Sequence, residues 1–183
     1  MFADDKKRGF TLLELLVVIA IIGVLSSAIM FSVTEARKKA RDSRRIQDIR
    51  QVILALELYR STNGRYPEEE DSGGFDFSDT DSNSNGNNWI DELATSGFMK
   101  KMPLDPINKV QDSTYYRYRY YKYAAGTNGC DSNRGDFYVL GIDNMEFLSG
   151  TQKHPQSPGF SCSGRNWETE TQGPDWVTGG YER

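Results

Sequence analysis

A carboxylate lies inside the most apolar stretch of the sequence. Residues 10–33, FTLLELLVVIAIIGVLSSAIMFSV, contain a single ionisable side chain, that of Glu14. A lone carboxylate in an apolar helix is costly within a bilayer, and such a group usually marks a functional pairing. Glu14 is therefore the first candidate functional residue, and it requires a cationic partner. Because Glu14 lies near one end of the run, a side chain that reaches the membrane interface is the alternative explanation.

Oxygen-bearing side chains recur at alternating positions in the segment DSNSNGNNWIDE. Their spacing matches the calcium loop D-x-[DN]-x-[DN]-G-x5-E, in which glycine permits a sharp turn and a bidentate carboxylate closes the site. The candidate ligands are Asp81, Asn83, Asn85, Glu92 and the backbone carbonyl of Asn87. Because only two of these ligands are acidic, the predicted affinity is weak. The alternative is a polar loop in which this spacing arises by chance.

Tyrosines alternate with cationic residues in the segment YYRYRYYKY, residues 115–123. Alternate side chains of a strand point to opposite faces, so this segment would have two different surfaces. One face would carry Tyr116, Tyr118 and Tyr120, and the other Arg117, Arg119 and Tyr121. Such a mixture can stack on single-stranded nucleic acid. The preferred alternative is structural, with tyrosines packed on a helix and cations solvated or paired with acidic groups.

The two cysteines, Cys130 and Cys162, lie in the C-terminal half among glycine, serine and asparagine residues. No CxxC pair or histidine cluster accompanies them, which disfavours a metal site. In a segment that follows a membrane span, an extracytoplasmic disulfide fits better than two unpaired thiols.

Enzymatic chemistry finds no support in the sequence. His154 is the single histidine and lies beside Pro155, and the sequence has no HExxH motif, nucleophile elbow or glycine-rich phosphate loop. The chain is therefore predicted not to be an enzyme and to require no cofactor, with calcium as an optional ligand of the loop described above.

The element that carries Glu14 is predicted to be a membrane-spanning helix. The 24 residues of the run 10–33 would extend about 36 Å as an α-helix, enough for a bilayer core of about 30 Å. A secretory signal peptide is the competing interpretation, but its apolar region would contain only about 7–15 residues.

The helix is predicted to continue beyond the span with one apolar stripe. Neither Pro nor Gly occurs between Val24 and Asn63. Apolar residues recur there at spacings of three and four, as in a helix that lays one face on a domain. They are Ile46, Ile49, Val52, Ile53 and Leu56. Asn63-Gly64, followed by Pro67, predicts the end of the helix.

The remainder of the chain is acidic. Residues 61–183 contain eleven Lys and Arg against nineteen Asp and Glu, and the whole chain has a net charge of -4. This balance argues against nucleic acid as an obligatory partner.

The N-terminal motifs resemble those of one protein family. The segments KKRG and FTLLELLVVIAIIGVL resemble the class III signal sequence of type IV prepilins and type II secretion pseudopilins. The shared features are a basic leader ending in Gly9, an aromatic residue next, and a glutamate, Glu14, at the fifth place after the glycine. Further along, LATSGFMKKMPLDPINK, YYRYRYYKY and DFYVLGID resemble the loop and sheet of the major pseudopilin. Many relatives have a helix-breaking proline where this chain has Phe31.

The resemblance implies a processing event that supplies the missing cation. A membrane-embedded prepilin peptidase would cut after Gly9, and Phe10 would become an N-methylated N-terminus. Glu14 could then neutralise that amine, either its own or that of the next subunit in a filament. The resemblance also implies a calcium site at a later loop than the one above, near Asp143.

The predicted fold class is α+β and pilin-like, with one long N-terminal α-helix packed against a small C-terminal antiparallel β-sheet. A short helix is expected at 89–96, capped by Asn87 or Asn88. Strands are expected at 115–124 and 137–142, and a hairpin through Asp143-Asn144 leads to a third strand at 145–148. The tail 149–183 reads as loop, anchored by Trp167 and Trp176.

The predicted organisation has four parts. They are a cytoplasmic leader at 1–9, a transmembrane and filament-core segment at 10–33, an amphipathic half-helix at 34–61 and an extracytoplasmic globular domain at 62–183. The domain would lie outside the cytoplasm before the subunit enters an extracellular or periplasmic filament. The expected partners are further copies of the chain, the prepilin peptidase and an inner-membrane assembly platform.

Three functions are compatible with this organisation. The first is a structural subunit of a type IV pilus-like filament, assembled through its N-terminal helix. The alternative within the class is a type II secretion pseudopilus subunit that drives protein export. The alternative from another class is a monomeric, signal-anchored module that binds calcium or another ligand.

Overall fold

The computed structural model describes residues 11–68, 89–107, 110–111, 114–146, 153–170 and 173–183. The chain divides into two compact units, Met1–Lys38 and Lys39–Arg183. The first unit is helical from Leu12 onward. The second contains the remainder of that helix, a short second helix and two antiparallel sheets.

Helix α1 extends from Leu12 to Asn63 and contains 52 residues. Its continuity follows from the sequence, because no proline is present and Gly23 is the only glycine in this range. The helix ends as predicted at Gly64, whose φ of 74° is readily adopted by a residue without a Cβ. The amide of Gly64 donates to the carbonyl of Arg60 at 2.8 Å, which satisfies one of the last carbonyls of the helix.

Helix α2 is shorter than predicted and extends only from Asp91 to Thr95. Ile90 occupies its N-cap position and supplies no side-chain cap. The predicted caps, Asn87 and Asn88, lie outside the described residues. Trp89 anchors the start of this segment, since its indole Nε1 donates to the carbonyl of Pro103 at 2.9 Å.

The main sheet has three antiparallel strands in the order β3-β4-β5. These strands are β3 (Arg117–Tyr123), β4 (Phe137–Asp143) and β5 (Trp176–Tyr181). Strand β4 is central, and all seven of its residues are buried. A separate two-stranded ladder pairs β1 (Val110–Gln111) with β2 (Thr114–Tyr115).

The predicted hairpin after β4 is wrong. Asn144 has a left-handed φ of 55°, but the following residues Met145 and Glu146 do not pair with β4. The third strand comes instead from the tail, where Trp176 pairs with Ile142 and Tyr181 pairs with Phe137. The carboxylate of Asp175 accepts from the amide of Met145 at 2.7 Å, which fixes the chain where it leaves β4. The tail is therefore part of the sheet.

The two faces of the sheet bury different apolar clusters. One face packs with the apolar stripe of α1, and its cluster includes Ile49, Leu56, Tyr118, Tyr120, Tyr138, Leu140, Ile142 and Trp176. The other face buries Tyr123, Phe137, Val139, Trp167 and Val177 under the tail. The disulfide predicted between Cys130 and Cys162 is present beside this second cluster, with a Cα–Cα distance of 4.8 Å.

Candidate assembly site

The first turn of α1 forms a capping box between Thr11 and Glu14. The carboxylate of Glu14 accepts from the amide of Thr11 at 2.9 Å and from its hydroxyl at 2.8 Å. In return, the Thr11 hydroxyl accepts from the amide of Glu14 at 3.3 Å. This reciprocal arrangement satisfies amide groups that have no partner inside a helix. Glu14 thus has a structural role within its own chain, which the T-x-x-E spacing could have predicted.

The predicted cleavage and methylation positions, Gly9 and Phe10, lie outside the described residues. Their roles therefore stay predictions, as does the pairing of Glu14 with an amine at Phe10.

The helix that follows Glu14 presents its apolar side chains outward. In the segment 12–33, which includes Glu14, large apolar side chains are between 41% exposed, at Val33, and 81% exposed, at Leu12. Among the described residues, α1 is the one helix long and apolar enough to cross a membrane. Its most apolar 18-residue window has a mean hydropathy of 2.7 and no buried residue. A surface of this kind requires an apolar environment outside the chain.

A buried ion network surrounds Arg45 on the sheet-facing side of α1. The guanidinium Nε donates to Asp105 at 2.7 Å, and Nη1 donates to Asp42 at 2.6 Å. The same Nη1 donates to Glu146 at 3.0 Å, and Arg41 adds bonds of 2.5 and 2.6 Å to Glu146. Burial alone would lower the pKa of Arg45, but these carboxylates raise it above its ordinary value. The network fixes the segments that contain Asp105 and Glu146 onto the helix.

The carboxylate of Asp143 at the end of β4 is held by two arginines, and residues 147–152 of the loop that follows, near which the resemblance implies calcium, lie outside the described residues. One oxygen of Asp143 accepts from Nε of Arg117 at 2.8 Å. The other accepts from Nε and Nη2 of Arg119 at 2.9 and 2.6 Å. Two guanidinium groups therefore surround this carboxylate, and a divalent cation would have to approach both. In the part of the chain that the structure describes, no group of three or more acidic, His or Cys side chains is arranged to hold a metal.

The calcium loop predicted from the sequence lies almost wholly outside the described residues. Asp81, Asn83, Asn85 and Asn87 belong to that part, whereas Glu92 lies in α2. The carboxylate of Glu92 accepts from Arg65 at 3.0 Å with each oxygen and from the Tyr59 hydroxyl at 2.7 Å. Burial acts to raise the pKa of Glu92, but these donors lower it.

The aromatic strand has the structural role that was preferred over nucleic-acid binding. Tyr118 and Tyr120 are fully buried against α1. Their hydroxyls donate to Asp48 at 3.0 Å and to the carbonyl of Pro67 at 2.7 Å. Arg117 and Arg119, on either side of Tyr118 in the sequence, pair with Asp143, as described above. The alternation of tyrosine and arginine therefore builds the core on one side and a salt bridge at the sheet end.

Two family models match the chain. The prokaryotic N-terminal methylation motif matches residues 4–30, and the model for type II secretion system protein G matches residues 32–154. Type II secretion system core protein G of Pseudomonas aeruginosa is 29% identical over 141 residues, covering 77% of this chain and 87% of that protein. The Vibrio cholerae protein of the same name is 29% identical over 146 residues, covering 80% of this chain and 88% of the relative.

A shorter and stronger match involves Escherichia coli (strain K12). Its type II secretion system core protein G is 45% identical over 67 residues, or 37% of this chain, and the chain spans about half (46%) of that relative. No solved structure matches the chain significantly.

The long helix with its exposed apolar part and the small antiparallel sheet define a pilin-like subunit. The family model that matches 32–154 covers more than half of the sequence. The chain belongs to the type II secretion system protein G family, the pseudopilins. This membership favours the pseudopilus alternative over the type IV pilus subunit that was the first expectation from the sequence, and the monomeric anchored module gains no support.

Proposed function

We propose that the chain is a structural subunit of a type II secretion pseudopilus. The observation that carries this proposal is the exposed apolar surface of α1, whose most apolar window has no buried residue. Such a surface is shielded from water in a bilayer, and a bundle of identical helices would shield it as well. The role of the chain would be assembly rather than catalysis. The chain would itself be the substrate of a peptidase.

The proposed assembly begins with the leader 1–9 in the cytoplasm, 10–33 across the inner membrane and the domain 62–183 outside the cytoplasm. Cleavage after Gly9 creates an amine at Phe10, which is then methylated. Glu14 leaves or shares its capping box with Thr11 to neutralise this amine, its own or that of the next subunit. An inner-membrane assembly platform lifts the processed subunit into the filament, where further copies of the chain bury the apolar helix.

Expression of the full chain in a cell with a type II secretion system tests this proposal. We expect the mature mass to lack residues 1–9 and to include one methyl group, and we expect Gly9→Leu to block both changes. Glu14→Ala should leave processing intact and abolish filament assembly and export. An unchanged mass for the unaltered chain, or normal assembly of the Glu14→Ala variant, would contradict the proposal.

The same cells separate the two filament hypotheses. A pseudopilus subunit should restore export of a type II substrate in a strain that lacks its own protein G. Long surface fibres without restored export would instead favour a type IV pilus subunit.

A further inference from the structure

The ammonium group of Lys153 is bound by backbone carbonyls rather than by carboxylates. Its Nζ donates to the carbonyl oxygens of Pro174 at 2.9 Å, Gly173 at 3.2 Å and Glu170 at 3.4 Å. An ammonium group has three N–H donors, so each donor has one carbonyl acceptor. Among the described residues, no carboxylate forms a salt bridge with this nitrogen. The three carbonyls, here called the carbonyl cage, therefore hold a unit positive charge mainly through their dipoles.

The carbonyl cage is formed by a turn that requires a glycine. The amide of Gly173 donates to the carbonyl of Glu170 at 3.0 Å, which closes the turn. A Cβ at position 173 would lie 2.9 Å from both the carbonyl oxygen of Trp167 and the Cβ of Glu170, so a larger residue would displace the backbone. The carboxylate of Glu170 accepts from Arg165 at 2.5 and 3.1 Å. The cage thus contains the main-chain oxygen of Glu170, whereas its carboxylate is bound to another residue.

The carbonyl cage lies where the chain enters β5. The amide of His154, the neighbour of Lys153, donates to the carbonyl of Asp175 at 2.8 Å. The amide of Asp175 donates in turn to the carbonyl of Ile142 in β4 at 2.9 Å. The charge of Lys153 acts to lower the pKa of Asp175, but burial has the larger effect and raises it. A cation in the cage therefore connects the end of β4, the segment 153–154 and the start of β5.

The oxygen atoms of the carbonyl cage suit a monovalent cation. Rings of backbone carbonyls replace the hydration shell of potassium in proteins. Calcium sites, in contrast, include carboxylates among their six to eight oxygen ligands. The carboxylate of Asp175 already accepts from the amide of Met145 at 2.7 Å. The cage itself therefore offers three neutral oxygens to a single positive charge.

We propose that the carbonyl cage is a site for a monovalent cation. Its resident cation is the tethered ammonium group of Lys153, and a free potassium ion occupies the cage when this group is removed. The tethered cation fixes the entry to β5 without requiring a free ion. The proposal concerns the sheet of a single subunit, so it is independent of the proposed function.

Two substitutions of Lys153 in the full chain in detergent test the charge of the resident group. Lys153→Ala vacates the carbonyl cage, and Lys153→Met fills it with an uncharged side chain of similar length. Both should lower the thermal midpoint by at least about 4 °C relative to the exposed control Lys101→Ala, because a charged hydrogen-bond donor is lost. A Lys153→Met variant as stable as the control would overturn the proposal, because packing of the side-chain stem would then explain this position.

Added cations show whether the vacated cage binds a free ion. Potassium should recover at least half of the lost thermal midpoint in Lys153→Ala and none in Lys153→Met, whose side chain blocks the cage. N-methylglucamine chloride at the same ionic strength is the inert salt, and n-propylammonium, which supplies the missing side-chain atoms, is the positive control. Each shift is compared with that of Lys101→Ala in the same salt, so a cation bound elsewhere cancels. No recovery with potassium, recovery in both variants, or recovery with calcium alone would overturn the proposal.

A binding measurement provides a test that does not depend on stability. Equilibrium dialysis with radioactive rubidium, a substitute for potassium, should detect an additional ion per chain in Lys153→Ala. The unaltered chain and Lys153→Met should lack this ion, because the cage is filled in both. Equal rubidium binding by all three proteins would overturn the proposal.

Discussion

The two parts of α1 differ in what they bury within the chain. In the first part, leucines and isoleucines are more than half exposed, as at Leu12 and Ile29. In the second part, a fully charged side chain, Arg45, has no exposed surface at all. The first part of this continuous helix thus exposes apolar residues, and the second part encloses an arginine beside its buried apolar stripe. Both features are unusual in a soluble protein.

The two parts of α1 therefore depend on different surroundings for their stability. The second part has its partners within the chain, since carboxylates and the sheet surround its inner face. The apolar surface of the first part requires apolar surroundings outside the chain, which under the proposed function are a membrane or other subunits. Changes in the second part should therefore alter unfolding, whereas changes in the first part should alter assembly.

The largest effect on unfolding is expected at Arg45. Arg45→Ala leaves three carboxylates without their shared guanidinium, and breaking a buried ion pair costs about 3–5 kcal/mol. Arg44→Ala is the matched control, because the Arg44 side chain is 67% exposed and lies 3.7 Å from Asp48, and an exposed cation in such a pair contributes less than about 1 kcal/mol. Urea unfolding of the full chain in detergent, followed by tryptophan fluorescence, measures both. An equal loss of unfolding free energy in the two variants would contradict the expectation that the buried cation contributes more than the exposed one.

The next largest effect on the free energy of unfolding is expected from one of three leucine substitutions that compare the two parts of α1. Leu56→Ala empties a fully buried position and should reduce the free energy of unfolding by about 2–5 kcal/mol. Leu54→Ala, on the exposed face, and Leu16→Ala, in the first part, should each change it by less than about 0.5 kcal/mol. Tryptophan fluorescence suits this test, since all three tryptophans lie in the second unit and are buried. A large loss for Leu16→Ala would show that the first part is stabilised within the chain after all.

Acid should weaken the second part through Glu146. Burial acts to raise the pKa of Glu146, but hydrogen bonds from Arg41 and Arg45 lower it below its ordinary value of 4.5. A carboxylate with a lowered pKa in the folded state stabilises the fold above the ordinary pKa, and this contribution disappears as the pH falls through the lowered value. Unfolding free energies at pH 7, 4.5 and 3 should therefore decline, and Glu146→Gln should decline less steeply. An identical decline would exclude this residue as a cause.

Calcium is expected to have the smallest effect. If the loop of Asp81 binds it, calcium at ten times its dissociation constant should add about 1.4 kcal/mol of stability and raise the thermal midpoint by about 3–4 °C. Asp81→Ala should remove this shift, and Asp79→Ala, outside the ligand spacing, should retain it. Asp143→Asn should also retain it, because two arginines already surround that carboxylate. If only Asp143→Asn removed the calcium-dependent shift of the thermal midpoint, the calcium site would lie near Asp143 and not in the loop of Asp81.

Local sequence patterns were sufficient for the helix and the general fold. The absence of proline and the recurrence of apolar residues predicted α1 and its end at Gly64 correctly. The alternating tyrosines predicted β3 and its packing. Each of these features depends on residues that are near one another in the chain.

Features that depend on distant residues were missed. Strand β5 contains Gly179 and Gly180, which are unfavourable in strands, and it pairs with β4 across a connection of more than thirty residues. Two partners of Arg45 lie 60 and 101 residues away, so local spacing could not predict its buried ion network. The capping box of Thr11 and Glu14 is different, because the T-x-x-E spacing in the sequence was sufficient to predict it.

The position of β5 sets the time at which this domain can fold. Strand β4 is buried on both faces and at both edges, yet the strand that covers one edge is made last, at Trp176–Tyr181. Until synthesis has passed residue 181, β3 and β4 form a hairpin with an open apolar edge. The sheet therefore cannot be completed until β5 is available. A factor that covers the open edge of β4 before then would prevent this edge from pairing with a strand of another chain.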